Sequence, residues 1–393
     1  MCLKTYDDKK NGDIIVSFSC LFGGVLIISA MPFYGYVLAG CGAYLLARRI
    51  LKMDRYTVLF KQLGLHAEDM YPELKEVRRT DYSVIRRYSL PPGLGLQDFV
   101  KNRDRIEDFI GKRVDIKCHA KNIIIEIFEK GMEHFDFEPR EYTGIKFSLG
   151  KQRNGQPLIL DMAKSPHLLI AGETGSGKST LLRSILTALC LKPCSLYLID
   201  LKGGVEFSVF AKSSKVEGFG RTKSEAPDTV KAAQDEVNRR YDLFYDADVP
   251  DINEYNKTEN LRYAILVIDE FAELMNVKEC KEMLYDILAR GRAAGVLCII
   301  STQRPDAKVL DGLLKANIVN TVGLRTHNRV NSDIVIGDGG LERLNGNGHG
   351  LFVSGGKTIE FQAPYISVDG VRELIKHTYI KKEKSKVLYG GFQ

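Results

Sequence analysis

A strong charge of either sign is missing from this chain. Its 393 residues carry a formal net charge of only +6. The first fifty hold five basic and three acidic side chains, which leaves +4 for the rest. That excludes a polybasic chain that coats nucleic acid by charge alone, although it leaves room for a basic groove. Clustered cysteines are missing too. The eight cysteines (2, 20, 41, 118, 190, 194, 280 and 298) are scattered, and only Cys190 and Cys194 stand four apart. No second pair follows at zinc-site spacing, so reduced, mostly buried thiols of a cytosolic domain fit best.

Charge is absent altogether from residues 14–47, a stretch of 34. One helix needs about 20 apolar residues to cross the hydrocarbon core, and Pro32-Phe33-Tyr34-Gly35 interrupts this stretch near its middle. The reading is a transmembrane helix hairpin over 14–48, with spans near 14–31 and 34–48. Lys4, Lys9 and Lys10 precede it, and Arg48, Arg49, Lys52 and Arg55 follow it, which places both ends in the cytoplasm. A single tilted span remains the alternative and would put the N-terminus outside. A secretory signal peptide fits poorly, because the apolar region is too long and no small-x-small cleavage site closes its first half.

Residues 1–13 then form a cytoplasmic tail and 49–80 a linker. A strand at 82–90 closed by Pro91-Pro92-Gly93, helical spacing over 96–110, and strands at 114–117 and 123–128 make a small α+β domain over 81–142. It holds no catalytic cluster.

The chemistry lies further on. Gly172-Glu173-Thr174-Gly175-Ser176-Gly177-Lys178-Ser179, followed by Thr180, sits between an apolar run at 167–171 and a helical pattern with Leu181, Leu182, Ile185, Leu186 and Leu189. A buried strand, a glycine-rich turn and a helix N-terminus cradle an anion. Backbone N–H groups wrap the phosphates, Lys178 neutralises the β- and γ-phosphates, and the Ser179 hydroxyl ligates Mg²⁺. The pattern implies binding of a nucleoside triphosphate such as ATP.

Hydrolysis needs a metal partner and a base. The apolar run 264–268 reads as a strand buried on both faces and ends in Asp269-Glu270. Asp269 suits Mg²⁺ held through water, and Glu270 suits a general base on the attacking water. The bland alternative is two solvated acids at a helix start. A further strand at 296–301 ends in Thr302-Gln303-Arg304-Pro305, which would bring Gln303 beside the γ-phosphate. Strands at 196–200 and 321–325, with helices at 227–247 and 272–290, complete an α/β domain whose parallel sheet is covered on both faces. The extra strand at 196–200 is expected to separate the phosphate loop from the Asp-Glu strand.

Several ordered blocks over 149–350 resemble the FtsK/SpoIIIE family of DNA-translocating ATPases. They are Asp161-Met-Ala-Lys-Ser-Pro-His-Leu-Leu-Ile-Ala-Gly172, Ile199-Asp-Leu-Lys202, Glu236-Val-Asn-Arg-Arg-Tyr241 and Ile252-Asn-Glu-Tyr-Asn256. The Asp269-Glu270 strand, Arg290-Gly-Arg-Ala-Ala-Gly295, Thr302-Gln-Arg-Pro305 and Leu314-Lys-Ala-Asn-Ile318 follow. The resemblance implies a RecA-like P-loop ATPase motor over 143–379, a ring (a homo-hexamer) with DNA in its channel, and nucleotide between subunits. Arg292 becomes the candidate arginine finger, with Arg290 as alternate and a helix-end arginine satisfying carbonyls as the plain reading.

Chromosome-segregating members carry a C-terminal winged-helix reader. Here a basic tail (380–393) follows the motor, a layout more like the compact coupling proteins of Gram-positive conjugative elements. Their partners would be a relaxase or relaxosome, mating-channel proteins and the membrane. A segregation translocase and a protein-export ATPase are the other readings. Sequence-independent DNA contacts are expected from Lys212, Lys215, Arg221, Lys223, Lys308 and Lys315.

Overall fold

The computed structural model describes residues 55–380 apart from Asp69, together with four isolated positions (37, 40, 41 and 43). The expected hairpin at 14–48, the tail at 1–13 and nearly all of the basic tail lie outside the described residues. Among the described residues no helix is long and apolar enough to cross a membrane. The chain divides into two compact units, up to Glu129 and from Lys130 onward.

Among the described residues the first unit is a four-stranded antiparallel sheet with three helices. Strands β1 (Glu73–Arg79), β2 (Ser83–Ser89), β3 (Val114–His119) and β4 (Asn122–Phe128) lie in the order β1-β2-β4-β3. Ile123, Ile125 and Ile127 alternate inward from β4, and pairing sets Val114 opposite Ile127 and Ile116 opposite Ile125, so all five share one buried face. Helix α1 (Arg55–Gln62) adds Tyr56, Leu59 and Phe60 to that core. Phe60 meets Tyr88 and Phe99 edge-on, with ring centroids 5.1 and 5.7 Å apart. Both α1 and β1 fall in the stretch read as linker. The helical pattern at 96–110 is two helices, α2 (Leu96–Lys101) and α3 (Arg103–Ile110), broken at Asn102, whose side chain donates to Asp98 O.

The second unit is built on ten strands. Six run parallel in the order β12 (Asn320–Leu324), β7 (Leu168–Ala171), β11 (Val296–Thr302), β10 (Tyr263–Ile268), β8 (Cys194–Ile199) and β9 (Val216–Gly220). Beyond β12 the sheet continues antiparallel through β13 (His349–Ser354), β14 (Lys357–Gln362), β5 (Lys146–Gln152) and β6 (Pro157–Asp161). The parallel half answers the sequence reading, and the antiparallel extension adds to it. One expectation is corrected. In the sheet β11 separates the phosphate-loop strand β7 from the Asp-Glu strand β10, whereas 196–200 lies on the far side of β10. Chain order and spatial order differ because crossover helices carry the chain past a neighbour.

Two-faced burial explains the apolar runs. Along β10, Ile265 and Val267 pack in one core with helix α4 (Lys178–Cys190). Ala264, Leu266 and Ile268 pack in the opposite core with α5 (Ala226–Asp246). A short helix α6 (Ile252–Tyr255) follows α5. The expected helix 272–290 is a short α7 (Phe271–Leu274) and a longer α8 (Lys278–Ala294), separated at Val277. Arg240, on α5, is buried and caps the end of α8: Nη1 donates to the carbonyls of Ala294 (2.9 Å) and Gly295 (3.1 Å), while Nε meets Glu236 Oε1 at 2.7 Å. Within the block 236–241, Arg240 therefore ties α5 to the end of α8, just before β11.

His167, just before β7, is 1% exposed and adopts φ +59°. Its Nδ1 accepts from the Cys298 N–H at 3.0 Å. Burial drives its pKa down from 6.5 to about 4, opposed in part by the Leu288 backbone. A group whose folded pKa is depressed leaves the unfolded chain as the better proton acceptor, so stability is full above pH 6.5 and is lost as pH falls to 4. The expected loss is about 3 kcal/mol. Urea unfolding of His167→Asn, whose amide oxygen can take the same N–H, should lack this component between pH 6.5 and 4.

Candidate nucleotide site

β7 is buried at every position and ends at Ala171, and the chain then turns through the glycine-rich loop into α4. Neighbours on both sides pin that loop. Gly172 N–H donates to Thr302 O (3.2 Å) and Glu173 N–H to Arg325 O (3.0 Å). Gly348 N–H donates to Ser176 O (2.7 Å) and Asn347 N–H to Gly175 O (3.3 Å). Gly177 takes φ +98°, and a Cβ there would stand 2.2 Å from Gly348 N. Any side chain at 177 is therefore barred twice, by conformation and by contact. α4 opens at Lys178, so the first-turn N–H groups of Lys178, Ser179 and Thr180 have no intrahelical acceptor and face the turn as anion donors.

The bracing turn is itself anchored. His349 Nε2 lies 2.8 Å from Glu360 Oε1, and Arg153 grips the same carboxylate with Nε at 2.9 Å and Nη2 at 2.6 Å. Burial alone would raise the Glu360 pKa, but hydrogen bonds from His349 and Arg153 outweigh it and hold the carboxyl down at about 2.

Lys178 and the acids come together as the spacing implies. Lys178 Nζ, 3% exposed as a residue, meets Asp269 Oδ1 at 2.6 Å, Ser301 Oγ at 3.1 Å and Asp269 O at 3.2 Å. Glu270 Oε1 accepts from Thr302 Oγ1 (2.9 Å) and from Gln303 N–H (3.2 Å). Thr174 Oγ1, on the loop, donates to Gln303 Oε1 at 3.3 Å, so Gln303 bridges phosphate loop and Glu270. Asp269 Oδ2 is buried with no hydrogen-bond partner. A buried carboxylate oxygen without a hydrogen bond is a hard donor of the kind a divalent cation takes.

The two arginines do not join this cluster. Arg290 pairs with Asp286 (3.1 Å), donates to Asn238 Oδ1 (3.0 Å) and stacks over the Tyr241 ring at 4.6 Å. Arg292 is exposed, and its guanidinium makes no ion pair with the described residues. Of the expected DNA contacts, Arg221 is paired with Glu225 (3.0 Å), Lys223 with Glu273 (2.8 Å), and Lys315 Nζ donates to Ile334 O (2.5 Å). Three candidates are thus engaged within the chain.

Sequence reasoning passed over three features. Lys202 Nζ lies 3.4 Å from Glu270 Oε2 and 3.8 Å from Asp269 Oδ2. The signal was its place just after an apolar strand ending in Asp200. Arg325 Nε and His327 Nδ1 both reach Glu173, at 2.8 and 2.9 Å. Finally, residues 134–137 belong to the second unit as a strap: Tyr365 N–H donates to Phe135 O (2.8 Å) and Phe137 N–H to Tyr365 O (2.7 Å). Strap and loop line an open cleft of about 450 Å³ beside Gly177 and Thr180, with the exposed Tyr365 ring at its edge. That lies within the usual range for small-molecule sites.

Residues 137–262 match the FtsK/SpoIIIE family. The chain carries an FtsK/SpoIIIE domain. It is a P-loop ATPase domain, and the lysine–carboxylate cluster agrees with that. The DNA translocase SftA of Bacillus subtilis (strain 168) is 34% identical over 267 residues, which is 62% of this chain and 28% of SftA. Among solved structures, the pCW3 conjugation coupling protein TcpA, in monomer form with ATPγS, is 27% identical. It has a TM-score of 0.60 over 82% of this chain and 98% of TcpA. The cytoplasmic domain of the type VII secretion ATPase EccC from Thermomonospora curvata is 26% identical, with a TM-score of 0.55 over 62% of this chain and 32% of EccC. The chain spans well under half the length of SftA and of the EccC structure.

Proposed function

We propose that the chain is an ATP-driven DNA translocase, anchored in the membrane, that acts as a coupling protein in conjugative DNA transfer. The observation that carries the motor reading is the single cluster of Lys178, Asp269, Glu270 and Gln303, whose phosphate-loop lysine lies within the stretch that matches FtsK/SpoIIIE. The likeness to TcpA, which extends beyond the second unit, favours conjugation. The likeness to SftA supports a second reading, a chromosome or plasmid segregation translocase. Membrane attachment rests on the uncharged stretch at 14–47.

In this reading ATP lies along the loop, its nucleoside in the cavity beside Thr180 and its γ-phosphate toward Glu270. Lys178 exchanges Asp269 for the β- and γ-phosphate oxygens. Ser179 and, through water, Asp269 would hold Mg²⁺, which would withdraw charge from the phosphate oxygens. Glu270 polarises the attacking water, and Gln303, touching both Thr174 and Glu270, reports whether the γ-phosphate is there. Arg292 is the finger toward a neighbouring subunit of a hexamer; it is exposed and makes no ion pair with the described residues, whereas Arg290 is committed to Asp286, Asn238 and Tyr241. Lys212, Lys215 and Lys308 are the proposed sequence-blind contacts to DNA phosphates.

The test has two arms. The full chain should hydrolyse ATP several-fold faster with added DNA, and donor cells lacking it should stop transferring the element while partitioning chromosomes normally. Absence of DNA stimulation overturns the translocase reading. Partition defects with normal transfer favour segregation instead.

A further inference from the structure

Lys178 is the cation that a phosphate loop demands beside the two acids; Lys202 is not. It is delivered by the loop after β8. Asp200, fully buried, accepts from the N–H groups of Lys202 (3.1 Å), Glu206 (2.9 Å) and Phe207 (3.3 Å), so one carboxylate winds residues 200–207 into a compact turn. The turn sets Lys202 Nζ against Glu270 Oε2 (3.4 Å) and near Asp269 Oδ2 (3.8 Å). The other Glu270 oxygen already accepts from Thr302 and Gln303. Lys202 thus pairs with the Glu270 oxygen that takes no hydrogen bond from Thr302 or Gln303.

We propose that Lys202 is a placeholder cation: in the nucleotide-free chain it completes the charge balance of Asp269 and Glu270, and it holds Glu270 idle until it withdraws. The inference rests on the ATPase reading above and concerns how that site is kept off. Two buried carboxylates need two cations, and Lys178 and Lys202 supply them. When Lys178 turns to a triphosphate, Asp269 takes a divalent cation in its place, and an ammonium beside that ion meets like charge. The Lys202 side chain is 43% exposed, against 2% for Lys178, so it alone has solvent to retreat into.

The test uses the full chain with Lys202→Met, which keeps the stem and removes the charge, and Lys202→Arg, which restores charge. Mn²⁺ titration without nucleotide should show about 10-fold tighter binding in Lys202→Met, because two acids then share one cation. DNA-independent hydrolysis should rise several-fold in kcat at unchanged KM, and Lys202→Arg should return both readouts to the wild-type range. Unchanged Mn²⁺ affinity in Lys202→Met overturns the proposal. So does a fall in kcat, which would make Lys202 a catalytic charge. A wild-type chain that hydrolyses no ATP counts against the translocase reading, while the Mn²⁺ titration still decides on Lys202.

Discussion

Lys178→Ala is expected to abolish ATP binding at any practical concentration and with it all hydrolysis and transport. The loop's backbone donors would survive, but they carry only partial charge, and the triphosphate would lose the one full cation buried against it. The substitution also touches the resting protein. Asp269 would keep its place in the core while its 2.6 Å partner disappears, and removing one member of a buried pair costs about 3–5 kcal/mol. Calorimetric titration of nucleotide, run beside a melting curve, separates the two effects. The variant should melt lower and still be folded at room temperature. Retained ATP affinity in a folded Lys178→Ala would remove the phosphate-loop assignment.

Glu270→Gln should behave in the opposite way, with binding preserved and turnover lost. The amide keeps an oxygen for Thr302 Oγ1 and Gln303 N–H, so the local hydrogen bonds stand. It cannot accept a proton from water, and general-base loss costs about 10²–10⁴ in rate. Single-turnover hydrolysis with preloaded ATP reads this directly. A near-normal rate would show that another group, or water alone, takes the proton. Because the amide nitrogen would face Lys202 in place of a carboxylate oxygen, the Lys202–Glu270 ion pair should be lost as well. A variant that binds ATP more tightly than the wild type would agree with that loss.

Legibility in the sequence followed burial. β7, β10 and β11 are apolar on both faces, so their runs stand out and their C-terminal residues mark the site. The edges were obscure for the same reason. β1 is exposed along nearly its whole length and alternates nothing, so Glu73–Arg79 reads as charged linker. β13, β14, β5 and β6 are short, partly polar hairpin strands that no local period announces, and the pairing of β14 with β5 joins segments far apart in the chain. Lys202 and Arg325 were missed because each acts across strands, where only the sheet order brings it to the loop. That order, with β11 between β7 and β10, was itself hidden, since it depends on which way each crossover passes.

The turn at Asn347 and Gly348 deserves a last consequence. It binds the rear of the phosphate loop through two peptide hydrogen bonds and runs straight into the β13–β14 hairpin, which Arg153 ties to the outer strands through Glu360. The loop is thereby splinted to the rim of the sheet. A displacement of that rim would therefore be felt at the phosphate loop through the two peptide hydrogen bonds from Asn347 and Gly348.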